Sequence, residues 1–436
     1  MQTPYRSIHA GTPVGDFGAI RAVLRLLLSA FCLLPSAAAG DAPAKPVGWR
    51  GDGSGQYPNA TPPLEWDGET KKNILWCTKV GPNKFSSPIV VPGADGGAAA
   101  GGKVFLMAEP AQLVCVDADT GKILWTQADT FADLPTKVEP KPAKGSPGNT
   151  TPTPVCDGQF VYVSFGCGIV ACHDMQGQRQ WIQFLDHAYV PQYGRAASPV
   201  LVGGKLLVSV GCLTALDAKT GKLAWKKEEV VEAYGTPAPV NIGGVDMVFA
   251  PSGQLVRVAD GAILAEAKEL KYTTPLIRDS TAYMVDTATF ALTLPAQAAD
   301  KLEVKRPWIA DLEGIFYGSG ILHDGLLYAM SNEGRYYVLD AKDGKTVVEK
   351  ELDIPSRCGR PDLPAADIYG SLVLAGKYLF LSNTIGDTFV LEPGREYKEV
   401  KRNRLDEGSG GTPAFAGKRI YIRGGANLYC IGEKQK

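Results

Sequence analysis

Ten residues ending in tryptophan occur twice in the chain, as VDADTGKILW at 116–125 and LDAKTGKLAW at 216–225. Self-similarity at a spacing of tens of residues marks an architecture of stacked, equivalent units. CHDMQGQRQW at 172–181 keeps the glycine and the tryptophan, and LDAKDGKTVV at 339–348 keeps all but the tryptophan. In each copy an apolar residue and an aspartate end one strand. Gly121 or Gly221 then turns the chain at φ > 0 without steric cost, and a short apolar strand follows. The motif reads as a β-hairpin, with Asp117 and Asp217 bonding the turn backbone. His173 is read as standing in for that aspartate.

A second strand pair precedes each hairpin, opened by a Ser/Thr-Pro or Ser/Thr-Gly step. The openings fall at Pro88, Pro154, Pro199, Pro237, Pro275, Gly320, Ser371 and Pro413, between 38 and 66 residues apart, and a polar insert at 131–150 accounts for the longest interval. Eight units of four short strands predict an all-β fold, an eight-bladed β-propeller of four-stranded antiparallel blades. The last unit stops without its tryptophan strand, whereas NILWCTKV at 73–80 is a tryptophan strand with no unit before it. Closing the ring with this N-terminal strand completes blade eight and removes two open edges. Trp76, Trp125, Trp181 and Trp225 then lie on outer strands, expected to be buried between neighbouring blades.

Arginines, the apolar run LLLSAFCLLP and then SAAAG occupy 21–40, the three-part order of a secretory signal. The domains are therefore read as a signal peptide at 1–39, a lead-in at 40–70 and the propeller at 71–433, in a chain exported to the periplasm or the extracellular space. No stretch of the mature form is long and apolar enough to span a bilayer. With 45 Lys+Arg against 46 Asp+Glu and no basic stripe, nucleic acid is not an expected partner. The protein is expected to be a monomer.

Cys115, Cys172 and Cys430 recur at one apolar strand position in three units, so cysteine is read as a packing residue. If a disulfide formed, ring closure would favour Cys77 with Cys430. The four histidines show no metal-ligand spacing.

The chain resembles the PQQ-like β-propeller family, also called quinoprotein alcohol dehydrogenase-like, whose repeat carries A-x-D-x-x-T-G-x-x-x-W. Asp117, Thr120, Gly121 and Trp125 match it, as do Ala215, Asp217, Thr220, Gly221 and Trp225. WRGDGSGQYPN at 49–59 is similar to the lead-in of secreted members with no assigned chemistry. The resemblance also takes in the barrel-assembly lipoprotein fold, which implies protein partners in the envelope. Enzymes of the family hold a quinone and calcium in the central channel, some beside adjacent cysteines. No cysteines are adjacent here and the loops are lean, so neither PQQ nor calcium is expected as a cofactor.

The connections entering each blade should line the channel mouth. An aromatic recurs there, at Phe85, Tyr193, Tyr234, Tyr272, Tyr317 and Tyr369. Acids precede several of them, at Glu232, Glu313, Asp367 and Glu407, and Arg195 adds a cation. The six aromatics and Arg195 are the candidate small-molecule site, with catalytic and metal residues expected to be none. The leading reading is an envelope binding or scaffold protein. The second is a quinone-dependent oxidoreductase of alcohols or sugars, in which Arg195 would pair with a cofactor carboxylate.

Overall fold

Each repeat folds into one antiparallel sheet, and eight such sheets follow one another along the chain. The computed structural model describes residues 46–82, 85–93, 101–138, 149–231, 233–354 and 368–434. They fall within the unit Ala44–Lys436. The signal segment at 1–39 lies outside the described residues. Blades one to seven span 89–128, 155–184, 200–231, 238–266, 276–311, 321–351 and 373–404. Blade eight joins strands within 414–431 to the strand Ile74–Lys79.

Burial follows from the stacking of sheets. The two middle strands of blade one, Lys103–Ala108 and Gln112–Asp117, are buried nearly throughout, because each blade is covered on both faces by its neighbours. The outermost strand Ile123–Ala128 has no neighbour beyond it and is largely exposed.

The N-terminal strand closes the ring. Trp76 pairs with Cys430 and Cys77 with Tyr429. Residues opposite each other share a face and successive ones alternate, so Cys77 and Cys430 fall on opposite faces of the sheet. The Cys77–Cys430 pairing is therefore corrected: the strands are neighbours, but the register separates the thiols, and no disulfide joins any two of the seven described cysteines.

Neighbouring blades dock through tryptophan on glycine. A Cβ on Gly121 would meet the Trp76 ring at 2.5 Å, one on Gly177 the Trp125 ring at 2.8 Å, and one on Gly221 the Trp181 ring at 2.6 Å. The Nε1–H groups of Trp181 and Trp225 donate to the carbonyls of Ala218 and Val258 in the following blade, at 3.0 and 2.9 Å. Trp76 lacks such a bond, since the Ala118 carbonyl already accepts from Arg419 and Tyr421. Of the four tryptophans expected to be buried, only Trp181 is; Trp76, Trp125 and Trp225 are partly so. Trp308 docks in the same way on Gly344 and Ala341. At the turns, Asp117 Oδ1 accepts from Thr120 N at 2.8 Å and Asp217 Oδ1 from Thr220 N at 2.9 Å.

His173 is corrected. The turn after it is one residue shorter than in the other copies, so Asp174 takes the aspartate's place and caps it. His173 moves into the strand, fully buried, with Nε2 3.0 Å from Asp129 Oδ2.

The lead-in runs across the end of the channel. Val47 bridges to Cys156 of blade two, and Gln56–Tyr57 adds a parallel fifth strand to blade seven. Between them Arg50 is buried and donates to the carbonyls of Gly320 and Leu372 at 2.7 and 2.8 Å. Burial lowers its pKa to about 10.

Candidate functional site

The Ser/Thr at each blade entry forms a closed ring. Ser87 N–H donates to Thr153 Oγ1 at 3.0 Å, Thr153 N–H to Ser198 Oγ at 3.0 Å, and Ser198 N–H to Thr236 Oγ1 at 3.1 Å. Thr236 donates to Thr274, and Thr274 to Ser319, each at 2.9 Å. Ser319 donates to Ser371 at 2.9 Å, Ser371 to Thr412 at 3.0 Å, and Thr412 back to Ser87 at 2.9 Å. A proline follows in six of the eight and carries no N–H of its own. Each hydroxyl spends a lone pair on its neighbour and keeps its own O–H for the channel that it lines.

Two residues upstream in each connection stands the next layer: Phe85, Thr151, Ala196, Tyr234, Tyr272, Tyr317, Tyr369 and Gly410, all lining a cavity of about 670 Å³. Tyr193, three residues before Ala196, lines it as well. Neighbouring ring centroids lie 6.1 Å apart for Tyr193–Tyr234, 5.2 Å for Tyr234–Tyr272 and 4.9 Å for Tyr272–Tyr317. Tyr317 stacks on Tyr369 at 4.8 Å with planes 9° apart, and Tyr369 meets Phe85 at 4.6 Å. This last contact crosses blade eight and depends on Gly410, where a Cβ would meet Phe85 at 2.9 Å and the backbone sits at φ +81°. The six aromatics make one arc, open over blade two, where Thr151 stands.

Arg195 is not part of this arc. Its guanidinium is buried and donates to the carbonyls of Gly166, His187 and Tyr189, at 2.9, 3.4 and 3.2 Å. Glu313 pairs with Arg335, and Glu407 accepts from Asn427 and Ala426 of its own blade. Glu232 and Asp367 lie outside the described residues. No charged side chain among the described residues lines the cavity. Sequence reasoning missed Trp49, which lines both this cavity and one of about 640 Å³ beside the lead-in. It also missed the hydroxyl ring, whose signal was the Ser/Thr before each opening proline.

One group of metal-ligating type occurs among the described residues. His187, Cys212 and Glu228 bring ligand atoms within 4.8 Å of one another. His187 Nε2 is 2.7 Å from Glu228, whose other oxygen binds Lys226 Nζ at 2.7 Å, so the carboxylate already has a cation.

Eight four-stranded blades, five of whose junctions are docked by tryptophan on glycine, define the class: the chain is a PQQ-like β-propeller. It belongs to the family described as outer membrane protein assembly factor BamB, which matches residues 68–163 and 166–435. No curated protein matches the chain in sequence. Among solved structures, BamB from Moraxella catarrhalis is similar at TM-score 0.56 and 13% identity, over 83% of this chain and 99% of that one. A europium-containing methanol dehydrogenase is similar at TM-score 0.56 and 12% identity, over 82% and 93%. The computationally designed Ika8 protein gives TM-score 0.53 and 10% identity, over 83% and 99%. At these identities the likeness is one of fold.

Proposed function

We propose that the chain is an exported, non-catalytic binding and scaffold propeller of the cell envelope, with the channel mouth as a recognition site. The observation that carries this reading is that no charged side chain is among the described residues lining the cavity; Lys271 stands beside it, with Nζ 5.1 Å from the Tyr272 ring centroid. Pyrroloquinoline quinone is a tricarboxylate, and protein calcium sites usually count carboxylates among their oxygen ligands. Neither a cation for the first nor an acid for the second lines the cavity among the described residues, so this residue set does not fit the pair. Membership of the BamB family, together with Tyr189, Tyr193 and Ile315, 45%, 50% and 44% exposed, supports protein partners. Large apolar side chains on a surface are common anchors at interfaces.

The test is dye-linked turnover of alcohols and aldoses after incubation with the quinone and calcium. The reading expects no rate above that without protein. Turnover abolished by Tyr317→Ala would refute it in favour of an oxidoreductase.

A further inference from the structure

We propose that the channel mouth binds a neutral, polyhydroxylated ligand, the end of an uncharged glycan. This rests on the reading of the mouth as a non-catalytic binding site.

The chemistry of the walls narrows the ligand by elimination. A metal ion entering the cavity would give up hydration without meeting an acid among the described lining residues, and an anion would meet no cation among them, Lys271 lying behind the Tyr272 ring with Nζ 5.1 Å from its centroid. An acyl chain would leave the Thr151 and Thr384 hydroxyls without a partner, each at roughly 1–3 kcal/mol. A ligand that is uncharged yet dense in hydroxyls avoids both costs. Its C–H faces can lie against aromatic rings while its O–H groups exchange bonds with the hydroxyl layer.

Two further observations point to such a ligand. Thr151 Oγ1, in the gap of the aromatic arc, and Thr384 Oγ1 are buried with no hydrogen-bond partner, and both residues line the cavity. Orphaned hydroxyls are scarce in folded proteins, and a bound hydroxyl would satisfy them. The cavity also falls within the usual range for small-molecule sites, about 300–1,000 Å³. The lead-in, through Trp49, lines it as well. A glycan would therefore enter from the mouth face by its terminus.

The experiment probes the mature protein with a printed array of neutral gluco-, manno-, galacto- and xylo-oligosaccharides beside uronate- and sulfate-bearing ones. The strongest neutral binder is then titrated by calorimetry against the parent, Thr151→Val and Tyr317→Phe. Thr151→Val keeps the side-chain shape and removes the orphaned hydroxyl, so a variant with unchanged melting temperature reports on the site. Expected is retention of neutral glycans and about a tenfold loss of affinity in Thr151→Val, the effect of one net hydrogen bond of about 1.4 kcal/mol. Retention of acidic glycans alone, of none at all, or neutral binding that both variants leave unchanged overturns the proposal. If neither glycan nor quinone binds, the glycan assignment fails and the non-catalytic reading stands. If the quinone binds and supports turnover, that reading fails itself.

Discussion

Thr412 donates its backbone N–H to the Ser87 hydroxyl at 2.9 Å, across 325 residues of sequence. It is the bond by which blade eight returns to blade one, and it completes the ring of eight equivalent bonds. Because every hydroxyl accepts from the neighbouring blade, removing one leaves a buried N–H without its partner. Thr412→Val, which strands the Ser371 N–H, should cost about 1–3 kcal/mol, whereas Thr412→Ser should cost little. Denaturant midpoints of the two variants provide the comparison, and equal midpoints would contradict the role given to the ring.

Deleting residues 71–80 removes the outermost strand of blade eight and exposes the edge of Asn427–Ile431. An unpaired edge invites pairing between molecules. The truncated protein should melt at lower temperature and aggregate, as read by light scattering. Unchanged melting and solubility would show that closure does not depend on this strand.

Trp181 is 9% exposed and packs on Gly221, whereas Trp225 retains more surface. Truncation of a large, packed side chain costs about 3–5 kcal/mol. Trp181→Ala should reach that range, and Trp225→Ala should fall below it. Chemical denaturation in parallel decides the order, and a larger loss in Trp225→Ala would contradict the docking account.

How much of this could be read from the sequence depends on how local each feature is. The hairpin repeat is local, since Asp117, Thr120 and Gly121 make their turn within five residues, and counting copies yields the eight blades. His173 was misplaced because a turn shortened by one residue shifts the register, which only the pairing of Cys172 with Trp181 reveals. Trp308 escaped notice because a long loop separates it from its partner strand ending at Thr293. The aromatic arc could be anticipated from the spacing before each opening step, but the course of the Arg195 side chain could not. Its carbonyl partners lie in neighbouring loops, beyond the reach of any local pattern. The hydroxyl ring consists of bonds between blades, so its members were visible and their partners were not.

Glu65 of the lead-in accepts from Lys72 at 2.6 Å and Lys401 of blade seven at 2.8 Å, and these lysines, Lys401 foremost, lower its pKa from 4.5 to about 2. A carboxyl whose folded pKa lies below its unfolded value contributes stability above the unfolded pKa, and this is lost as pH falls through the folded one. The Glu65 contribution should therefore be intact at pH 5 and disappear towards pH 2. Melting temperatures across this window should fall less steeply in Glu65→Gln than in the parent. Parallel curves would show that the pair does not hold the lead-in to blade seven.

The central claim is that the mouth, though walled by Phe85, Tyr234, Tyr272, Tyr317 and Tyr369, is a neutral recognition site and not a quinone site. Calorimetric titration of the mature protein with pyrroloquinoline quinone in the presence of calcium tests this most directly. The account predicts no heat of binding at micromolar concentrations. Micromolar binding that disappears in a Tyr317→Ala, Tyr369→Ala double variant would contradict it.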